Sequence, residues 1–216
     1  QIVHAYDALA ALIDDFVAEI ASGLENGARG DSKHDLLQYL TSVLPALLFA
    51  TPFVSTLKLL NRGRGLNDRL TETFHLRPPG GAKSVLWFSD TVADLNGVSV
   101  TMNELAECAY REKAPLRLVG SLTEQEHAQP IADKLLRLPC IHEVTLPSDT
   151  SHTLRIPSLL RSLDTIAEAR PDKLVISTPG PVGLTGLLAA RLIGVPCIGI
   201  YHTDFAKQTE DLTGDR

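Results

Sequence analysis

From residue 82 onward the chain alternates short runs of consecutive apolar residues with longer stretches of helical composition, and this alternation limits its fold more than any other feature. Val85, Leu86, Trp87 and Phe88 make the first apolar run, and helical composition follows over 98–111. A second strand is predicted at 116–119, a helix at 131–138 and a short third strand at 143–146. Pro157, whose missing N–H costs nothing in a first helical turn, is expected to open a helix reaching about residue 169. A fourth strand at 173–177, a helix at 183–193 and a fifth strand at 196–201 complete the series. Strands that are apolar at successive positions bury both faces, and alternating β and α units supply the helices that cover them. The predicted class is α/β, with a parallel sheet of about five or more strands and helices on both faces.

The first 80 residues follow a different period. Leu9, Leu12, Ile13, Phe16, Val17, Ile20 and Leu24 recur at three- and four-residue steps and predict an amphipathic helix. Ser32 and Asp35, spaced as a capping box, predict the start of a second helix. Residues 36–57 carry no charge and are followed by Lys58, Arg62, Arg64 and Arg69. Pro45, Pro52 and polar side chains such as Gln38 and Ser42 interrupt the run, so a buried helical hairpin is the preferred reading. A peripheral membrane contact through 36–69, with its basic rim on anionic lipid, is the alternative. A full span, which takes about 20 apolar residues, ranks last. Pro78-Pro79-Gly80-Gly81 punctuates the chain into a helical extension or linker, 1–80, and an α/β domain, 81–216.

Composition narrows the function classes. With 44% hydrophobic residues the chain can bury a core, which excludes wholesale disorder. A net charge of −6 argues against nucleic-acid binding, which needs a basic face to neutralise phosphates. Three cysteines, Cys108, Cys140 and Cys197, form no Cys-x-x-Cys pair, so neither a disulfide framework nor a thiolate zinc site is expected, and a cytoplasmic setting fits. The histidines show no metal-ligand spacing. No secretory signal is visible at the acidic start. The first residue is Gln1 and the sole methionine is Met102, which suggests a piece of a longer chain.

Parallel sheets take ligands beyond the carboxyl ends of their strands, so the loops after strands one, four and five carry the functional expectation. After strand one, Asn96 and Gly97 precede a helix, whose start offers free N–H groups to an anion; an ordinary Asn-Gly turn is the plainer alternative. After strand four, Gly180, Gly183 and Gly186 stand three apart, which is not the spacing of a dinucleotide fingerprint. Gly186 is read as easing helix–sheet packing. No Gly-Lys-Ser/Thr exists, so a P-loop is excluded. After strand five, His202 stands beside Thr203 and Asp204, a set able to hold substrate hydroxyls or handle a proton near neutral pH.

Taken together these loops resemble the N-terminal, acceptor-side domain of the group 1 (family 4) glycosyltransferases of GT-B architecture. The matching stretches are Phe88-Ser89-Asp90-Thr91 with Asn96-Gly97-Val98-Ser99, then Arg170-Pro171-Asp172-Lys173-Leu174-Val175-Ile176, then Thr178-Pro179-Gly180-Pro181-Val182-Gly183-Leu184. Gly194-Val195-Pro196 leading to Tyr201-His202-Thr203-Asp204-Phe205 completes them, so the resemblance covers roughly 83–206 and leaves 1–80 unmatched. The Thr-Pro-Gly-Pro and Tyr-His-Thr-Asp-Phe elements are closest to the branch with bacterial α-mannosyltransferases and sulfoquinovosyl-lipid synthases. The resemblance implies a Rossmann-like domain and transfer of a hexose from a nucleotide-sugar to a lipid or glycan acceptor. It also implies retention at the anomeric carbon and no obligatory metal or other cofactor. It implies that Asn96 and Gly97 face the donor phosphates and sugar, and that His202 contacts the donor sugar and is catalytic. Asp90, Thr178, Gly180 and Thr203 would line the acceptor cleft, with Asp204 binding acceptor hydroxyls or only shaping the loop.

Family members continue into a second Rossmann-like domain, which carries a basic pair for the leaving diphosphate and a carboxylate motif for the nucleotide. No Lys/Arg cluster within 83–216 matches that pair. The expectation is therefore half of an active site, inactive as an isolated piece. The alternative class is a non-catalytic Rossmann-like binding or scaffold domain. An oxidoreductase is disfavoured by the glycine spacing.

Overall fold

The computed structural model describes residues 2–27, 48, 51–59, 69–71, 73–74, 83–92, 97–122, 135–145 and 153–200. The apolar run at 85–88 becomes the middle of a sheet. This strand, β1 (Val85–Phe88), pairs in parallel with β2 (Leu116–Leu122) on one side and with β5 (Lys173–Ile176) on the other. β3 (Leu135–Thr145) continues in parallel beyond β2, and β6 (Cys197–Gly199) in parallel beyond β5. β4 (Thr153–Pro157) closes the β3 edge in antiparallel sense, giving the order β4-β3-β2-β1-β5-β6.

Four helices are delimited: α1 (Ile2–Gly27), α2 (Gly97–Arg111), α3 (Leu159–Glu168) and α4 (Pro181–Ile193). Successive strand residues point to opposite faces, so the continuous apolar run of β1 feeds two cores. Leu86 and Phe88, with Val119 and Leu174 beside them, meet Leu163 and Ile166 of α3 and Val182, Ala189 and Ile193 of α4. Trp87 and Leu118 turn the other way, against Met102 and Ala106 of α2. Each such fully buried Leu or Phe contributes about 1.5–3 kcal/mol over its exposed state. The predicted α/β class, with helices on both faces of a mostly parallel, Rossmann-like sheet, is what the chain forms.

Three expectations are corrected. The stretch foreseen as a helix at 131–138 includes the first half of β3, where Leu135, Leu136 and Leu138 pair with β2. The short strand expected at 143–146 is, as far as Thr145, the second half of that same β3, which leaves β2 at Pro139 and continues alone against β4. Proline has no N–H to give a ladder, and it stands where one pairing ends and a register shift between Cys140 and His142 begins. Pro157 closes β4 rather than opening a helix; α3 begins two residues later, with Ser158 at its N-cap.

The predicted N-terminal helix is present as α1, with its buried face rotated. Ala10 and Ile13 are buried against Leu160 of α3, with Tyr6, Leu9 and Val17 around them, whereas Leu12 is 55% exposed. Helical residues 51–59 lie alongside. Val54 packs on this cluster, Leu57 reaches the main core, and the Phe53 ring stands 5.6 Å from that of Tyr6. The expected helix start at Ser32 and most of 36–69 lie outside the described residues. No helix among the described residues is long and apolar enough to cross a membrane. Cys108, Cys140 and Cys197 are free thiols.

Candidate functional site

β1 leads through α2 to β2 on one side, and β5 leads through α4 to β6 on the other, with α2 and α4 on opposite faces. The crevice between the β1–α2 and β5–α4 loops is therefore the switch point of the sheet, at the edge where β6 also ends. Trp87 Nε1 donates to Ser177 Oγ at 2.6 Å and ties the two strands below the crevice.

Asp90 spans that crevice. Its backbone N–H donates to Thr178 Oγ1 at 2.7 Å, and the Thr178 hydroxyl lies 2.5 Å from Asp90 Oδ2. Val182 N–H donates to Oδ1 at 2.7 Å, and Gly183 N–H reaches Oδ2 at 3.4 Å. Val182 and Gly183 are the second and third residues of α4, whose N–H groups are ordinarily capped by the preceding side chain. Here the N-cap is Gly180, which has none, and Pro181 follows. A carboxylate 90 positions earlier in the chain supplies the cap. The fit is close: a Cβ on Gly180 would lie 2.5 Å from the Asp90 carboxyl carbon, and one on Gly183 would lie 1.8 Å from the Thr178 carbonyl oxygen.

Burial pushes the Asp90 carboxyl above its ordinary range, against the Thr178 hydroxyl and the N–H groups of Val182, Gly183 and Gly180, which favour the anion. The Thr178 hydroxyl can donate to an ionised Asp90 or accept from a neutral one, so the site accommodates both forms.

The β1–α2 loop is fastened from the helix that follows it. Ser99 Oγ donates to the Thr91 carbonyl, and Asn103 Nδ2 donates to the Val92 carbonyl at 3.3 Å. Gly97 is the first residue of α2; it is exposed, and nothing lies within 4 Å of where its Cβ would be. Of the two helix starts flanking the crevice, α4 is filled by Asp90 and α2 begins at a glycine open to solvent.

Asp90, Thr178 and Gly180 meet in the structure as one internal lock. Asp90 is only 6% exposed and both of its oxygens face protein donors, so it shapes the cleft rather than presenting a carboxylate to a ligand. Gly186 takes the packing role foreseen for it, since a Cβ there would lie 2.8 Å from the Phe88 ring. Asn96, His202, Thr203 and Asp204 lie outside the described residues. Val182 and Gly183 were not singled out as site residues. Their signal was the Gly-Pro helix start, which leaves two N–H groups without a local cap.

Beside the lock, Leu184, Leu187, Arg191, Val195 and Cys197 line a groove of about 480 Å³ between α4 and the β6 edge, and Arg191 is the one charged residue among the described residues that line it. Thr178 and Gly180 do not line it. Burial raises the Cys197 thiol above its usual range, against the pull of Arg191, so this cysteine favours its neutral form. Compared with protein-family models, with curated proteins and with solved structures, the chain matches none.

Proposed function

We propose that residues 83–200, with the segment that follows them, form the acceptor-side domain of a retaining glycosyltransferase that moves a hexose from a nucleotide-sugar to a lipid or glycan acceptor. What supports this reading most is the meeting at one sheet edge of the motif loops after β1 and β5, joined through Asp90 and Thr178 across 88 residues of sequence. The lock occupies the start of α4, whereas α2 begins at the exposed Gly97, and N–H groups and the helix dipole at such a start favour a diphosphate. In this reading Gly97 lets the donor approach the backbone, Thr178 and Gly180 fix the wall of the acceptor cleft, and His202 acts on the donor sugar. The basic groups that neutralise the leaving diphosphate would come from a second domain, since transfer needs positive charge aimed at that group.

The test is transfer by the full-length protein with UDP- and GDP-sugars and with lipid and glycan acceptors. His202→Ala should lower turnover by about 10²-fold or more, the scale of losing a group that acts in the transition state. Gly97→Val should weaken donor binding while leaving the melting temperature unchanged, because no neighbour opposes the added side chain. Transfer that survives His202→Ala removes the catalytic assignment. No transfer from any nucleotide-sugar favours a non-catalytic binding domain instead.

A further inference from the structure

Helix α1 meets the sheet domain through a small apolar contact beside a group of buried polar atoms without partners. In that contact its buried apolar residues are Ala10 and Ile13, against Leu160 of α3. Asp14 comes next along α1; it is 8% exposed, and its Oδ1 has no hydrogen-bond partner. Across from it, Ser158 at the N-cap of α3 is fully buried, as is Ser162 one turn further on, and neither hydroxyl completes a well-formed hydrogen bond. The Tyr6 hydroxyl is buried without a partner too. Each of these atoms has given up water without full replacement, so the α1–α3 contact is weaker than its burial suggests.

We propose that α1 is a releasable arm, held on α3 while Asp14 is neutral and loosened when Asp14 ionises. As an acid Asp14 can donate to a neighbouring serine oxygen; as a carboxylate it can accept from Ser158, but its Oδ1 keeps unpartnered lone pairs and a full charge in a dry contact, which is costly. The groups around Asp14 do not reverse this balance. Burial is the largest influence and raises its carboxyl; Ser158 and Arg161 of α3 pull the other way, and Asp15 beside it adds to the rise. Asp164 of α3 and Asp7 of α1 act on Tyr6, whose phenol is pushed up to about 12, chiefly by burial, and stays neutral throughout. β3, which also packs on α1, carries Arg137, His142 and Glu143, and Glu143 is paired with Arg155 at 3.2 Å. Lys58, on helical residues 51–59, is exposed.

A carboxyl raised on docking contributes its full stability below the free value of about 3.9, and loses it as pH rises through the docked value. Hydrogen exchange of the full chain between pH 5 and 7, corrected for the intrinsic pH dependence of exchange, reads this directly. Protection of α1 amides should rise at least about threefold towards pH 5, while β1 and α4 amides report an unchanged body. In Asp14→Asn, α1 protection at pH 7 should exceed wild type by a similar factor and become independent of pH. Wild-type α1 protection that is flat or falls towards pH 5 overturns the proposal, and it needs no variant to fold. Weaker α1 protection in a folded Asp14→Asn overturns it as well, because the ionised carboxylate would then be a stabilising cap on α3.

Discussion

Removing the Asp90 carboxylate tests whether the crevice is locked as described. Asp90→Ala strips the acceptor from Val182 N–H at 2.7 Å, from Gly183 N–H at 3.4 Å and from the Thr178 hydroxyl at 2.5 Å. A buried N–H left without a partner costs about 1–3 kcal/mol, and loss of a helix cap is commonly worth about 1. The long Gly183 contact adds little, the hydroxyl can turn elsewhere, and relief of the buried charge offsets part of the loss. The net expectation is about 3 kcal/mol, or about 6–12 °C in melting temperature for a domain of this size. Asp90→Asn keeps an oxygen for Val182 and can donate to Thr178 Oγ1, so its cost should stay near 1 kcal/mol. Because the Asp90 carboxyl is raised, its contribution is complete at low pH and falls as pH rises through the folded value. The deficit of Asp90→Asn should therefore shrink between pH 4 and pH 7. Urea unfolding followed by Trp87, the sole tryptophan and a buried residue of β1, measures all three proteins. An Asp90→Ala protein within about 0.5 kcal/mol of wild type, or an Asn deficit that grows with pH, would show that Asp90 does not cap α4 as a raised carboxyl.

Among the described glycines, Gly183 is one the fold needs and Gly97 is one it does not. Gly183→Ala places a Cβ 1.8 Å from the Thr178 carbonyl oxygen, so the backbone must move, and a loss of more than about 3 kcal/mol is expected by chemical denaturation. Gly97→Ala meets no neighbour and should be neutral or stabilise by up to about 1 kcal/mol in the same assay. Arg170 holds φ 46 just beyond α3, a conformation that disfavours any residue with a Cβ. Arg170→Gly should accordingly raise stability by about 0.5–1 kcal/mol in thermal unfolding, and a loss would show that the arginine side chain matters more than its backbone strain.

What was legible in the sequence is what short-range pattern decides. β1 declares itself because four successive apolar residues have no other use than burial on two faces, and the pairing of Trp87 and Phe88 into opposite cores bears that out. β3 did not declare itself. Leu135, Leu136 and Leu138 satisfy a helical stripe as readily as a strand, and only the pairing with Leu118, Val119 and Ser121 settles the choice. The antiparallel β4 was missed for a related reason. Its cross-strand partners, such as Glu143 with Arg155, lie on another segment and leave no period within 153–157. The face of α1 holds at Leu9, Ile13 and Val17 but not at Leu12, because the small Ala10 and the polar Asp14, which carry little weight in a hydrophobic stripe, are buried while Leu12 is not.

The site shows the same division with a functional consequence. Asp90, Thr178 and Gly180 were picked out together through a family resemblance, but their chemistry toward one another depends on a contact across 88 residues that no local spacing encodes. Had the α4 start been vacant, the glycine-rich turn before it would have been the natural seat for a phosphate, and Asp90 beside it would have repelled one. With Asp90 bound there, that helix end already has its anion, and a second negative charge would face a carboxylate in place of free N–H groups. On the function proposed above, an incoming diphosphate would go to the start of α2 instead, where Gly97 is exposed. In Asp90→Ala the preference should relax, since the α4 N–H groups are freed. Inorganic phosphate or formate should then raise the stability of that variant while leaving wild type unchanged. The gain follows the ligand concentration over its dissociation constant, reaching about 2.7 kcal/mol at a hundredfold excess. Equal stabilisation of both proteins would place the anion elsewhere and would remove the argument that Asp90 decides which helix receives the ligand.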